Sequence, residues 1–130
     1  MEIPLLGDLE LAVLECLWDR GVLETRDVYE AVGVPREITL STIQSTLERL
    51  HRKRLLLRDR FGHSYRYASA MSRAEFRARA MASAAGDLKD ADAAGVLAAF
   101  VDLVARTDRG RLDELAKIVE QARARRKASS

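Results

Sequence analysis

Apolar residues recur at three- and four-residue spacing over most of the chain, with one short exception near its middle. Leu9, Ala12, Val13, Cys16 and Leu17 share one face and predict a first helix over Leu9–Trp18. Gly7 stands at its N-cap position, with Glu10 placed to reach back to it, and Gly21 stands where the helix should end. Val28, Ala31 and Val32 predict a short second helix over Thr25–Val32, broken by Gly33 and Pro35. Thr39 is a good cap for a third helix, whose Leu40, Ile43, Leu47 and Leu50 form an apolar stripe. The period then falls to two. The runs LLLRDR and SYRYAS flank FGH, Tyr65 and Tyr67 alternate with polar residues, and Gly62 supplies a turn, which together predict a hairpin. Trp18, Tyr65 and Tyr67 are expected to pack between the first helix and that hairpin. Three short helices followed by a hairpin is the element order of a winged helix-turn-helix, assigned to residues 1–70.

Helical spacing returns after residue 70. Ser72-Arg73-Ala74-Glu75 matches the S-x-x-E capping box and starts a helix running to about Leu88. Asp90–Ala105 follows, with Val96, Leu97, Phe100, Val101 and Val104 on one face. Asp108–Arg125 carries Leu112, Leu115, Ala116, Val119 and Ala122. Phe76 and Phe100 are the only aromatics of this region, too few for an independent core, yet each stripe must be buried. Residues 71–125 are therefore expected to be a three-helix dimerisation domain, closed by a second copy through Val96, Leu97, Phe100, Val101, Val104, Leu112, Leu115 and Val119. Residues 126–130 are expected to fray. The predicted class is mainly α, as an α+β winged-helix domain with a helical appendage.

Composition narrows the function. A chain of 130 residues, 48% hydrophobic and 32% charged, fits a soluble globular protein. No apolar run approaches the ~20 residues of a membrane span, and the acidic N-terminus lacks a basic signal region, so a cytoplasmic location without membrane insertion is expected. A lone Cys16 excludes an internal disulfide and a cysteine-rich metal site. No catalytic triad, phosphate-cradling loop or metal-ligand spacing is present, so neither enzymatic activity nor a cofactor is expected.

Charge is unevenly distributed. Residues 1–39 hold three basic against nine acidic residues, whereas residues 40–70 hold seven against two. The basic block begins on the third helix, whose outer face carries Ser41, Thr42, Ser45, Arg49 and Arg52. Helix preference alone would favour Glu, Lys, Gln or Ala there. In a helix-turn-helix this face enters the major groove of duplex DNA, where short hydroxyl side chains permit close approach. Arg49 is placed to reach a guanine edge or a phosphate. Arg52, Lys53 and Arg54 are placed for the backbone, although cations there also favour the negative end of the helix dipole. Thr39 is first a cap, with a hydroxyl able to touch phosphate. Arg58, Arg60, His63 and Arg66 are candidate wing contacts to phosphate or the minor groove. Glu48 shares the outer face and either reads a cytosine or pairs with Arg52.

The segments LGDLELAVLECLWDRG, DVYEAV, TLSTIQSTLERLHRKRLL, GHSYRYASAMSRAEF, LAAFVDLV and LDELAKIVEQ, in this order, resemble those of the penicillinase and methicillin-resistance repressors. The resemblance implies a homodimeric repressor with an N-terminal winged helix and a C-terminal dimerisation domain. It implies a two-fold symmetric operator controlling β-lactam-resistance or related stress genes. DNA-facing residues of the family's recognition helix fall on Ser41, Thr42, Ser45 and Arg49. Arg54 stands where members commonly carry Gly. The best-known members are inactivated when a membrane sensor-protease triggers cleavage at an Asn-Phe bond; the matching position here is Ala99-Phe100. A copper-responsive branch uses C-terminal cysteines, which this chain lacks. The main rival is a winged-helix interaction scaffold that does not bind DNA.

Overall fold

The structure is a computed structural model and describes residues 6–86 and 92–129. These divide into two compact units, residues 1–84 and 85–130.

In the first unit, α1 spans Asp8–Arg20, and Glu10 Oε1 accepts from the Gly7 N–H at 3.3 Å, as the capping pattern predicts. Gly21 closes the helix at φ 86°, its N–H donating to the Leu17 carbonyl at 2.8 Å. A two-residue strand β1, Leu23–Glu24, precedes α2, Thr25–Val28. The predicted second helix does not break at Gly33. It widens into a π turn over Tyr29–Gly33 and tightens into a 3₁₀ turn over Val34–Arg36. Then α3 runs Leu40–Arg52, and β2, Leu56–Phe61, pairs antiparallel with β3, Ser64–Ser69, across the two-residue turn Gly62-His63. The sheet order is β1-β3-β2, with Leu23 opposite Tyr67.

The core draws on every element of this unit except the 3₁₀ turn. Val13, Leu14 and Leu17 of α1 meet Val28, Val32, Ile43, Leu47 and Leu50, under Leu55, Leu56 and Tyr67 of the hairpin. Leu14 is 1% exposed and sits nearer the centre of the buried face than Leu9 or Ala12, which are only partly buried. Gly33 has ordinary helical angles, φ −73° and ψ −51°. Its role is space: a Cβ there would lie 2.8 Å from Tyr29 Cδ1, 3.1 Å from Ile43 Cγ1 and 3.2 Å from the Ile38 carbonyl oxygen. This close approach sets how near α3 comes to the preceding turn.

Two expectations for the aromatics divide. Trp18 Nε1 donates to Ser69 Oγ at 2.7 Å and to the Met71 carbonyl at 3.0 Å, and Tyr67 is buried, so both tie α1 to the hairpin. Tyr65 does not pack there; it is 36% exposed, farther out along the wing, under the guanidinium of Arg58.

The next helix, α4, spans Arg73–Ala85, and the Ser72 hydroxyl accepts from the Glu75 N–H at 3.1 Å. Its expected grouping with the C-terminal helices is corrected. Phe76 is 6% exposed and packs on Trp18 with ring centres 5.4 Å apart and planes tilted by 56°, while Arg73 bonds both Glu15 and Asp19 of α1. A large aromatic buried in the first unit's core outweighs the weak apolar side of the rest of α4.

In the second unit, α5 spans Ala93–Thr107 and α6 spans Arg109–Ser129; they are joined through Asp108, and Phe100 and Val104 face Leu115 and Ile118 across a shared cleft. The helix end expected at Leu88 and the start expected at Asp90 lie outside the described residues. The expected frayed tail is corrected as far as Ser129: α6 continues through it, and the Ser129 hydroxyl donates to the Arg125 carbonyl at 2.9 Å. Ser130 lies outside the described residues. No described residue of α5 or α6 is buried. Ala99-Phe100 lies inside α5, so cutting that bond requires local unwinding. Among the described residues no helix is long and apolar enough to cross a membrane.

The Gly33 contact makes a measurable demand. Gly33→Ala should lower unfolding stability by about 1–3 kcal/mol, as overpacking does. Denaturant unfolding checks it, and an unchanged midpoint would show that the site tolerates a methyl group.

Candidate nucleic-acid interface

The candidate surface is built on α3. Thr39 is its N-cap in extended conformation, φ −74° and ψ 157°, and its hydroxyl accepts from the Thr42 N–H at 3.2 Å. The hydroxyls of Thr39 and Thr42 also lie 3.0 Å apart, so the two act as a pair at the helix start. Ile43, Thr46, Leu47 and Leu50 form the buried face. Leu40 is only half-buried, and Thr46 fills the stripe in its place, its hydroxyl donating to the Thr42 carbonyl at 2.8 Å. With 3.6 residues per turn, Ser41, Ser45, Glu48 and Arg52 fall on the line directly opposite that face, with Thr42 and Arg49 flanking it. All six are exposed.

The expected basic residues separate into two groups. Lys53 Nζ donates to Glu10 Oε2 at 2.9 Å, which directs the side chain to α1 rather than outward. Arg66 lies 3.9 Å from Glu24 and stacks at 3.6 Å on the Phe61 ring. By contrast Arg49, Arg52, Arg58 and Arg60 have no carboxylate at ion-pair distance among the described residues. On the wing, Arg58 and Arg60 sit on the same side of the hairpin as Tyr65, 4.2 and 5.9 Å from its ring centre. Stacking there stiffens two long side chains while their charged heads stay wet. Asp59, the wing's one acid, lies opposite Arg66 and points to the other side of the sheet.

A groove of about 520 Å³ separates α3 from the wing, lined by Leu40, Gln44 and Glu48 on one wall and His63, Ser64 and Tyr65 on the other. Thus the structure brings Ser41, Ser45, Glu48 and Arg52 into one line, places Arg58, Arg60 and His63 across the groove, and takes Lys53 away. Tyr65 was missed as a surface residue because its alternation with Tyr67 looks the same whether the strand's end is covered or open. Arg54, the departure from the family pattern, has φ 65°, the left-handed region that a glycine enters without strain.

Glu10 ties this helix to its support. Burial works against its charge. The hydrogen bonds from Lys53 and the Gly7 N–H, with the charges of Lys53 and Arg49, outweigh burial and hold the carboxyl below its ordinary value. A carboxyl whose folded pKa is depressed adds stability that is complete above the unfolded value of 4.5 and is lost as pH falls through the folded one. Between about pH 7 and about pH 3 the wild type should therefore lose more stability than Glu10→Gln. Equal losses in denaturant titrations at the two pH values would remove Glu10 from this role.

Comparison with known proteins places the chain. A family model described as penicillinase repressor matches residues 6–121. The transcriptional regulator BlaI of Mycobacterium tuberculosis, from strains H37Rv and CDC 1551, is 34% identical over 120 residues, covering 92% of this chain and 86% of the relative. The solution structure of the DNA-binding domain of the repressor BlaI matches with a TM-score of 0.52 and 26% identity, over 58% of this chain and 93% of that one.

Proposed function

The chain belongs to the penicillinase repressor family and is a DNA-binding transcriptional repressor, and from that premise we propose that it acts as a homodimer on a two-fold symmetric operator. In this mechanism each α3 enters a major groove. Ser41, Thr42 and Ser45 lie close to base edges, Arg49 reaches a base or phosphate, and Arg52 with Thr39 meets the backbone. Arg58, Arg60 and His63 of the wing grip the flanking phosphates. The two helices stand about 34–36 Å apart, one turn of the duplex, or a multiple of it. Occupancy of such a site blocks the promoter.

The observation that carries this proposal is the set of four exposed arginines without carboxylates. What sets them apart is place: Arg49 and Arg52 lie on the exposed side of α3, and Arg58 and Arg60 lie over Tyr65 on the wing. Glu10, Glu15, Asp19 and Glu24 do bind cations of the first unit, yet none bonds Arg49, Arg52, Arg58 or Arg60. Unpaired guanidinium groups on one surface suit a polyanion that supplies its own charge. An interaction scaffold has no need of them.

Dimerisation is supported by α5 and α6. Val96, Leu97, Phe100, Val101, Leu112 and Val119 are each 36–52% exposed, and Val104 and Leu115 are half-buried. Large apolar side chains in that number do not stay in water on a monomer. A second copy offers the same stripe and closes it by symmetry. Cleavage at Ala99-Phe100 by a protease system would separate Val96 and Leu97 from Phe100, Val101 and Val104, dividing that surface in two.

Two experiments test the proposal. In gel-shift titrations, Arg49→Ala should cost about 1–3 kcal/mol on a specific fragment, and Arg52→Ala should lower the salt slope by about 1, while Lys53→Ala leaves that slope unchanged. No preference for any promoter fragment over random DNA would count against an operator; no binding even at low salt would favour the scaffold. In sedimentation, the wild type should run as a dimer and Leu97→Glu as a monomer. A wild-type monomer at micromolar concentration would overturn the dimer.

A further inference from the structure

Glu48 is the only acidic side chain of α3, and it lies on the outward line with Ser41, Ser45 and Arg52. It is exposed and forms no ion pair among the described residues, so the sequence alternative of a Glu48–Arg52 pair is not what the structure holds. A carboxylate in the middle of a DNA-facing surface repels phosphate wherever it meets one. On the operator mechanism above, on which this step rests, we infer that Glu48 is a specificity-determining residue that selects a cytosine in each half-site.

The placement and the chemistry agree. Ser41 and Ser45, on the two preceding turns of the same line, are short, so nothing on that line holds the helix off the groove floor before Glu48. The Glu48 side chain also borders the groove between α3 and the wing, beside Gln44 and Leu40. An ionised carboxylate only accepts hydrogen bonds. In the major groove guanine presents the acceptors N7 and O6, and thymine presents O4 and a methyl group. Adenine offers its N6 amino group beside the N7 acceptor, which repels a second carboxylate oxygen. Cytosine offers its N4 amino group with no acceptor of its own on that edge. Cytosine is therefore the base at which Glu48 gains a hydrogen bond with least repulsion. In every other register its charge is desolvated without return, which weakens binding to random DNA.

Selection from a randomised duplex library by the full-length protein, followed by sequencing, tests this in the wild type, Glu48→Gln and Glu48→Ala. The wild type should prefer cytosine by about tenfold at one position of each half-site. Glu48→Gln should shift that position toward adenine, whose N6 and N7 match an amide, and Glu48→Ala should leave it within about twofold of no preference. The other positions of the motif should not change. A motif identical in all three proteins overturns the inference and leaves the operator mechanism standing. So does a uniform rise in affinity for every sequence in both variants, which would make Glu48 a charge penalty alone. Failure of the wild type to enrich any motif overturns the operator mechanism and this inference with it.

Discussion

The approach of α3 to the turn before it governs the N-terminal unit, and that approach is possible only because residue 33 lacks a side chain. Tyr29, Ile38 and Ile43 all converge on the Gly33 Cα, one of them through a backbone oxygen that has little freedom to retreat. With this spacing Ile43, Leu47 and Leu50 reach the core at 0% exposure. The rotation of α3 is thereby set. Once those positions face inward, helical periodicity leaves Ser41, Ser45, Glu48 and Arg52 no choice but to face outward. The chemistry of the outer face is thus a consequence of packing on the inner one.

Electrostatics adds a second constraint by removing charges from the surface. Glu10 takes Lys53 at the end of α3, and Glu15 and Asp19 take Arg73 at the start of α4. Each pair joins α1 to an element distant in sequence; the exposed Arg73 pairs add little stability individually, whereas Lys53–Glu10 is partly buried. Their effect is distributional: Glu10, Glu15 and Asp19 turn toward structural cations. Arg49 and Arg52 of α3 and Arg58 and Arg60 of the wing are left without carboxylate partners among the described residues. A surface assembled this way stays positive although the whole chain carries only +2.

Much of this was legible because it rests on periodicity. The stripe of α3, the cap at Thr39, the Glu10–Gly7 cap and the hairpin turning at Gly62 all follow from spacing and turn chemistry. What escaped depends on tertiary partners. The strand β1 has two residues, too few for any alternation, and exists because Leu23 finds Tyr67. Phe76 reads as part of a C-terminal helix until Trp18 is found 5.4 Å away. Lys53 looks like its neighbours Arg52 and Arg54 until Glu10, 43 positions earlier, claims it. Gly33 signals a break in the sequence, but the same residue serves close packing within a continuing helical turn.

In the proposed mechanism the two units would divide the labour of repression, and this bears on its control. One α3 with a wing offers few base contacts, and sequence discrimination grows roughly additively with each position read. In the proposed dimer the second half-site is engaged at an effective concentration set by the connection between the units, in place of free diffusion from solution. Specific occupancy then depends on the pairing of α5 and α6 as strongly as on Arg49 or Ser41. That pairing is made between chains, since no described residue of α5 or α6 is buried within one chain. A signal that separates the copies would release the operator while every residue of the DNA-facing surface stays in place.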